Sequence, residues 1–264
     1  MTRLRDLMTL TSRARYLLWR TGAFGDAVAV RLTTGERIIL ERSMLMGASV
    51  AYEIFVSKIY RSPRWLDSRR IKRIVDVGAN VGFSVAYWGA QYPHARIDAF
   101  EPHPAHIATL QKTIDLNHLS DRVAIHPAAI GVSSGVFQLR SAGVCSTLEK
   151  SPEVSNRDFS TVMDTIDVPV VDFYSEAGSD QIDLLKMDCE GAEYDVLMDS
   201  RFADIDAAAM VIEWHATTEH PQAEIELIER LRNLRWDVLP TAADNSYPIP
   251  DFGILRAGVV WAYR

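Results

Sequence analysis

The sequence predicts an α/β fold built around a parallel sheet. Short, β-branched apolar runs, which suit buried parallel strands, alternate with longer segments whose apolar residues recur at helical spacing. A glycine-rich turn follows the first of the central runs, and a carboxylate follows the second. Because ligands bind outside the carboxyl ends of parallel strands, this order also predicts where a ligand would lie.

The first 70 residues are expected to form an extension that packs on a core domain of residues 71–264. After a helical segment at the amino terminus, the runs Ala27–Leu32 and Arg37–Glu41 flank the turn residues Thr33-Thr34-Gly35. This arrangement predicts a hairpin. A second helix is predicted over Ala51–Tyr60, before the core begins.

The stretch from Ile74 to Pro102 carries the strongest functional signal. A buried strand ends in the turn Gly78–Gly82, where glycines permit positive φ angles and close approach of a ligand. The helix that follows offers the positive end of its dipole. Glu101 comes 19 residues after Gly82, at the tip of the strand Arg96–Phe100. A carboxylate there can accept both hydroxyls of a ribose, so the sequence predicts a nucleoside-bearing cofactor.

The glycine turn departs from the dinucleotide-binding pattern G-x-G-x-x-G. Asn80 stands at the middle glycine position and Phe83 at the last one. The pattern D-x-G-x-N-x-G from Asp76 to Gly82 instead resembles the first motif of class I S-adenosylmethionine-dependent methyltransferases. That resemblance implies that the loop wraps the methionine part of S-adenosylmethionine. The implied cofactor-binding residues are Asp76, Gly78, Ala79, Asn80, Gly82, Phe83, Glu101, Pro102, Ala128 and Ala129.

The rest of the chain continues the alternation of strands and helices. Arg122–His126 is predicted as the third strand of the core. Val136–Arg140 and Val168–Phe173 are predicted strands on either side of a polar loop over Ser141–Ser160, which is expected to cover a site.

The carboxyl-terminal part is predicted to supply the remaining strands. They are Gln181–Asp188, Ala207–Trp214 followed by His215, Trp236–Leu239 and Gly258–Tyr263. The irregular segment Asp244–Asp251 is expected to form a second cover.

Five segments together are similar to the FkbM family of methyltransferases, over roughly residues 50–240. This resemblance implies a Rossmann-like class I fold with a seven-stranded, mostly parallel sheet, helices on both faces and an antiparallel strand in the last hairpin. It also implies O-methylation of a hydroxyl on a sugar, glycolipid or natural product. Lys186–Glu193 is the most discriminating part, similar to the pattern K-[IM]-D-x-E-G-x-E. The segments are IVDVGANVGFSV, AFEPHP, HPAAIG, LLKMDCEGAEYDVL and VIEWH.

Methyl transfer to a hydroxyl needs positioning, exclusion of water and removal of a proton. Asp188 ends one predicted strand, Glu213 and His215 end the next, and Glu190 opens a helix. These four residues are the catalytic candidates. Simpler roles remain open for them, since Glu190 and Glu193 suit the first turn of a helix and His215 is as well explained by structure as by base catalysis.

A divalent metal is the rival to direct acid–base or proximity catalysis. Asp188, Glu190 and Glu213 offer oxygen ligands of the kind that Mg²⁺ prefers. The spacing is not diagnostic of a metal site, so metal-free catalysis is preferred.

Composition excludes several classes of protein. The net charge is −7 and there is no long basic run, so nucleic acid is not the expected partner. Cys145 and Cys189 form no CxxC pair, and no apolar stretch reaches the length of a transmembrane span. Without a secretory signal, the protein is expected to be cytoplasmic, with a small-molecule, glycan or glycolipid acceptor. The oligomeric state is left open.

The amino-terminal segment combines basic and apolar residues. Packing on the core is its simpler interpretation, and weak contact with an anionic membrane surface is the alternative. The arginines are Arg3, Arg5, Arg13, Arg15 and Arg20, and the apolar residues are Leu4, Leu7, Met8, Tyr16, Leu17, Leu18 and Trp19.

Two functions from other classes also remain. One is an NAD-dependent oxidoreductase, against which Asn80 and the lack of a recognisable Tyr-x-x-x-Lys pair both argue. The other is a non-catalytic nucleoside-binding scaffold on the same fold.

Overall fold

The structure is a computed structural model, and several predicted segments lie partly or wholly outside the residues that it describes. They include the start of the amino-terminal segment at 1–7, the hairpin turn at 33–34, most of the helix at 51–60, most of the loop at 141–160 and the cover at 244–251. The described residues are 8–22, 25–31, 35, 37–41, 54, 59–63, 66, 70–142, 145–148, 164–176, 181–240 and 254–264.

Strands and helices alternate through most of the described chain. The strands are β1 Ala27–Arg31, β2 Arg37–Glu41, β3 Arg73–Val77, β4 Arg96–Phe100, β5 Val123–His126, β6 Ala129–Gly131, β7 Gly135–Ala142, β8 Cys145–Leu148, β9 Asp164–Asp172, β10 Ile182–Met187, β11 Ala207–Thr217, β12 Asp237–Pro240 and β13 Ile254–Tyr263. The helices are α1 Leu10–Arg20, α2 Phe83–Gln91, α3 Pro104–Leu116, α4 Phe173–Glu176, α5 Ala192–Met198 and α6 Ala223–Asn233, with a 3₁₀ turn at Ser200–Asp204.

The central sheet has seven strands in the order β12-β13-β11-β10-β3-β4-β5. The pairs from β11 through β5 are all parallel, while β13 runs antiparallel to both of its neighbours. This arrangement confirms the predicted class I fold: a seven-stranded, mostly parallel sheet with one antiparallel strand in the last hairpin.

The central strands β3, β10 and β11 are buried on both faces, which explains why they are mostly apolar rather than alternating. Successive side chains point to opposite faces, so Ile74 and Leu184 enter one hydrophobic cluster while Val75 and Leu185 enter the other. Helices α2 and α3 lie over the first cluster, and α5 and α6 lie over the second. None of the described helices is long and apolar enough to cross a membrane.

The amino-terminal helix and hairpin share the first cluster. Tyr16 and Trp19 of α1 are buried there with the apolar side chains of β1 and β2. Asn117, which follows α3, ties the hairpin down: its Oδ1 accepts from the Ile39 N–H at 2.8 Å, and its Nδ2 donates to the Ile39 carbonyl at 3.2 Å. The antiparallel pairing of β1 with β2 agrees with the predicted hairpin.

A second, four-stranded sheet in the order β6-β9-β7-β8 was not predicted. Its strand β7 continues to Ala142 and β8 covers Cys145–Leu148, so the prediction of an irregular loop from Ser141 is wrong for these residues. Backbone pairing of β7 with both β8 and β9 creates this sheet, and such pairing leaves little trace in the polar composition of the segment. Residues 143–144 and 149–160 of the expected loop lie outside the described residues.

Candidate functional site

Three parallel strands end at the same level of the central sheet. Val77 of β3 lies in register with Phe100 of β4 and with Met187 of β10. The residues that follow these strands, Gly78, Glu101 and Asp188, therefore emerge side by side at the carboxyl edge. Ligands bind at this edge in open α/β sheets, so the candidate site is located here.

The glycine loop folds back over the end of β4. Gly78, Asn80 and Gly82 have φ angles of 79°, 51° and 94°, all in the left-handed region. The N–H groups of Gly78 and Ala79 both donate to the Phe100 carbonyl, at 3.0 and 2.9 Å. Asn80 tolerates its conformation because its Oδ1 accepts from the next N–H, at 2.7 Å.

The two glycines are required by the packing of the chain on itself. A Cβ on Gly78 would lie 1.8 Å from the Asp188 carbonyl oxygen, and one on Gly82 would lie 2.8 Å from Leu110 Cδ1. Room for a ligand, the reason inferred from the sequence, is therefore not what the structure requires of these positions. They let the loop seat against β10 and against α3.

Glu101 is buried and held rigidly beside the loop. Its Oε2 accepts the Asn80 N–H at 2.9 Å, and its Oε1 accepts the His103 N–H at 2.9 Å and lies 3.2 Å from His106 Nδ1. A carboxylate has about four acceptor positions, so Oε2 retains capacity for one hydroxyl. His106 thus contacts this carboxylate, and sequence reasoning missed it.

Lys186 is a buried cation beneath the loop. Its Nζ donates to the carbonyls of Val77 and Gly78, at 3.0 and 2.6 Å. It also lies 3.2 Å from Asp76 Oδ1 and 3.5 Å from Asp188 Oδ2. Burial lowers the pKa of Lys186, but Asp76 and Asp188 more than offset that effect and raise it above its ordinary value. The charged amine therefore fastens the loop to β10.

Asp76 lies deeper than the sequence suggested. Its side chain has no exposed surface, and neither oxygen accepts a well-directed hydrogen bond from the described residues. The close ion pair with Lys186 is the main interaction that offsets the cost of burying the Asp76 charge. The structure thus places Asp76 as the counter-ion that keeps Lys186 charged, and any influence on a ligand runs through the loop.

Tyr60 joins two of the candidate carboxylates. Its hydroxyl donates to Asp188 Oδ2 at 2.8 Å and lies 3.3 Å from Glu213 Oε2. The residue is only 2% exposed and precedes the first strand of the central sheet. Burial, followed by Asp188 and Glu213, raises the pKa of Tyr60 well above its usual value, so the phenol stays protonated as a donor. Sequence reasoning missed this residue.

The sequence predicts that Glu213 and His215 lie at the end of a strand. In the structure both residues lie within β11. Strand β11 continues to Thr217 because β13 pairs with it along this whole segment. The parallel neighbour β10, however, has its last paired residue at Met187, opposite Ile212. Both side chains therefore project from the same face of β11 beyond the end of β10, alongside Asp188.

His215 is buried and bound by carboxylates. Its Nδ1 lies 2.7 Å from Glu193 Oε1, which also accepts the His215 main-chain N–H at 3.1 Å. Its Nε2 lies 3.5 Å from Glu190 Oε2. Burial lowers the pKa of His215, but Glu193 and Glu190 outweigh it and raise the pKa well above 6.5. The ring is therefore an imidazolium at neutral pH, which weakens the interpretation of His215 as a general base.

Glu193 has a different role from the one inferred from the sequence. It was interpreted as a charge in the first turn of a helix, but its side chain is wholly buried. Its Oε2 accepts the Gly191 N–H at 2.9 Å while its Oε1 holds His215. Its place at the end of the K-x-D-x-E-G-x-E pattern is the one sequence signal that could have pointed to it.

Glu190 has an unusual backbone conformation. Its φ angle is 55° and that of Gly191 is 112°, so two consecutive residues adopt left-handed conformations directly after β10. Such a conformation is strained for a residue other than glycine and is often found at functional sites. It turns the Glu190 carboxylate toward His215, with 22% of its side chain exposed.

The predicted catalytic residues assemble at one place, and the site is strongly electronegative. Only two cationic side chains, Lys186 and His215, lie within this described cluster of five carboxylates, so a cationic ligand is favoured electrostatically. The carboxylates are Asp76, Asp188, Glu190, Glu193 and Glu213.

Three of the side chains lie close enough together to be considered as ligands of one metal ion. Ligand atoms of Asp188, Glu213 and His215 lie within 4.8 Å of one another, so His215 takes the place of Glu190 in the predicted set. The donor set fits a divalent cation poorly, because Lys186 pairs with Asp188, the Tyr60 hydroxyl contacts both carboxylates, and Glu193 and Glu190 already contact the two ring nitrogens of His215.

The remaining predicted cofactor residues lie at the same edge. Phe83 begins α2 after the glycine loop, and Pro102 follows Glu101. Ala128 and Ala129 follow β5, each 7% exposed, and lead into the second sheet.

Residues 76–236 match the family model described as the methyltransferase FkbM domain. "Methyltransferase 1" of Beauveria bassiana is 30% identical over 162 residues, which are 55% of this chain and 64% of that protein. "Methyltransferase sdnD" of Sordaria araneosa is 28% identical over 187 residues, 60% of this chain and 72% of that protein. The aligned part of the chain thus covers less than two thirds of the length of the first relative and more than two thirds of the length of the second.

Among solved structures, the crystal structure of methyltransferase FkbM from Methylobacillus flagellatus is similar. It has 18% sequence identity and a TM-score of 0.49, and the match covers 78% of this chain and 47% of that chain. The match to the family model includes the glycine loop, Glu101, and the segment from Lys186 to His215. The chain belongs to the FkbM methyltransferase family.

Proposed function

We propose that the protein is an S-adenosylmethionine-dependent methyltransferase that methylates a hydroxyl group of a sugar, glycolipid or natural product. The observation that carries this proposal is the joint geometry of the loop and its acid. Glu101 is fixed against the Gly78–Gly82 loop, at a sheet edge with an excess of carboxylates. Family membership favours a methyl donor over a nicotinamide cofactor.

S-adenosylmethionine supplies an activated methyl group on a sulfonium centre when bound. The fixed Glu101 carboxylate receives one ribose hydroxyl on Oε2, where acceptor capacity remains. The loop from Gly78 to Phe83 would hold the methionine part, and Pro102, Ala128 and Ala129 at the same edge would complete the cofactor site. Lys186 holds the loop in the required conformation through the Val77 and Gly78 carbonyls.

Negative charge around the site favours a cationic donor over a neutral one. Asp188 and Glu190 each expose 22% of their side chains, so they present this charge to a ligand, whereas Asp76 and Glu193 are wholly buried. Charge complementarity that is built into the fold needs no reorganisation when the ligand arrives.

Glu190 is the residue that we propose takes the proton of the acceptor hydroxyl. Asp188 already receives Tyr60 and Lys186, and His215 already carries a proton. Glu190 is partly exposed, is held in a strained conformation and lies 3.5 Å from His215 Nε2, so its carboxylate can reach both a ligand and the imidazole. His215 and Glu193 thus position the base, while Asp188 and Glu213 line the acceptor side.

Metal-free catalysis remains the proposal, with Mg²⁺ bound by Asp188, Glu213 and His215 as the rival. The rival requires His215 to lose its proton and Lys186 to give up its contact with Asp188. A non-catalytic scaffold is the second rival. Incubating the protein with methyl-labelled S-adenosylmethionine and a panel of hydroxylated glycans and natural products tests both. Label transfer in the presence of chelator supports the proposal, and retention of the cofactor without transfer to any acceptor supports the scaffold.

A weak membrane contact through α1 is part of the proposal. Leu10, Leu17 and Leu18 lie on one outward face and are 81%, 41% and 50% exposed, while Arg15 and Arg20 are exposed beside them. An apolar stripe flanked by arginines suits an anionic lipid surface. Sedimentation with phosphatidylserine-containing vesicles should retain the protein, vesicles of phosphatidylcholine alone should not, and replacing Leu17 and Leu18 with serine should abolish the difference.

A further inference from the structure

We propose that Tyr60 is a positioning residue of the methyltransfer site, so that the amino-terminal extension completes the acceptor side of the pocket. The inference rests on the proposed function for its catalytic consequence. Tyr60 lies outside residues 76–236, the part of the chain that matches the family model. Its contacts nevertheless reach the centre of the site.

The hydroxyl of Tyr60 lies between two acidic side chains. It donates to Asp188 at 2.8 Å and lies 3.3 Å from Glu213, so a single proton is shared between acceptors that would otherwise repel each other. The Lys186 amine sits 5.7 Å from the centre of the Tyr60 ring, on the other side of Asp188. Asp188 is thereby held between a cation and a neutral donor.

An aromatic stack fixes the position of this hydroxyl. Trp88 of α2 lies between two tyrosines: its ring centroid is 5.8 Å from that of Tyr60 and 5.9 Å from that of Tyr92, with interplanar angles of 29° and 27°. Helix α2 begins at the glycine loop. Tyr60 therefore couples the helix that follows the cofactor loop to the carboxylates on the acceptor side.

This placement has a chemical consequence. An acceptor hydroxyl must approach beside Asp188 and Glu213, and their spacing sets where it can lie. Without the Tyr60 hydroxyl, two carboxylates face each other with one fewer donor, and they must separate, take up water or bind a proton. Each of these changes displaces the acceptor from its line of attack, which lowers turnover more than it weakens cofactor binding.

Tyr92 supplies a matched control. It stacks on the same tryptophan, and its hydroxyl is bonded to the neutral hydroxyl of Ser62. Tyr60→Phe and Tyr92→Phe therefore each remove one buried hydroxyl from one aromatic stack. Only the first change removes a hydrogen bond to a carboxylate.

The test compares the two variants with the parent for label transfer from S-adenosylmethionine and for cofactor affinity by calorimetry. We expect Tyr60→Phe to lower kcat about 10-fold to 100-fold, with cofactor affinity within about 2-fold of the parent. Tyr92→Phe should keep the parent rate. Equal rates for the two variants would overturn the inference.

A second measurement does not depend on turnover. The groups that face the Tyr60 hydroxyl are Asp188, Glu213, Asp76 and Lys186. Urea unfolding should show a greater loss of stability for Tyr60→Phe than for Tyr92→Phe, because only the first change removes a hydrogen-bond donor from a carboxylate. Equal losses for the two variants would contradict the inference, and a parent protein without any methyltransfer would contradict only the proposed function.

Discussion

Replacing Glu193 with glutamine should destabilise the protein, and the loss should depend on pH. The change keeps the size of the side chain but removes a wholly buried charge. It replaces the charged acceptor of the His215 bond at 2.7 Å with a neutral amide oxygen and so removes the ion pair, which costs about 1.5–3 kcal/mol. In the parent, the Gly191 N–H donates to Glu193 Oε2 at 2.9 Å. In the variant this N–H faces an amide NH₂ group, which adds roughly 1 kcal/mol to the loss of stability.

The expected loss is therefore about 3 kcal/mol in the free energy of unfolding at pH 6. The pKa of His215 is raised in the folded state, so the stability from its proton is fully present below about pH 6.5 and is lost as the pH rises through the folded value. The difference between the parent and Glu193→Gln should consequently shrink between pH 6 and pH 10.

Urea unfolding at several pH values measures this difference. Glu229→Gln is the control, because it makes the same chemical change at an exposed position of α6 and should cost less than about 0.5 kcal/mol. A Glu193→Gln protein as stable as the control at pH 6, or a loss that grows toward pH 10, would refute the assignment of an imidazolium held by Glu193.

Three further predictions concern the cofactor side and the metal. Glu101→Ala should lower the affinity for S-adenosylmethionine about 10-fold to 100-fold, measured by calorimetry on folded protein, and an unchanged affinity would remove Glu101 from the ribose site. Gly78→Ala should unfold at a markedly lower temperature than the parent because its Cβ would lie 1.8 Å from the Asp188 carbonyl, whereas Gly25→Ala, with nothing within 4 Å, should not. Methyltransfer should continue in EDTA, and loss in EDTA with rescue by Mg²⁺ would assign Asp188, Glu213 and His215 as metal ligands.

The central sheet and the cofactor edge were predictable from the sequence for a physical reason. Strands that are buried on both faces form nearly continuous apolar runs, and such a run is visible in a few consecutive residues of the sequence. Ile74–Val77 is an example, with Asp76 as its one polar residue. The loop and Glu101 belong to one strand–helix–strand unit, so their spacing along the chain carries the information. The same holds for Asp188 and Glu190, which directly follow the next buried strand.

The residues that sequence reasoning missed have partners far away along the chain. Tyr60 bonds to Asp188, and Lys186 to the Val77 carbonyl, across separations of 128 and 109 residues. Glu193 resembles an ordinary first-turn charge until the fold brings it against His215. The length of β11 depends likewise on β13, which pairs with it from a later part of the chain.

The most direct test of the account is methyl transfer from labelled S-adenosylmethionine by the parent and by Glu190→Gln, side by side, against the hydroxylated acceptor panel. The account predicts label on an acceptor hydroxyl with the parent, and a rate about 10²-fold to 10⁴-fold lower with Glu190→Gln at unchanged cofactor affinity. A Glu190→Gln protein that transfers label at the parent rate would contradict the assignment of the base. A folded parent that retains NAD and not S-adenosylmethionine would contradict the proposed function itself.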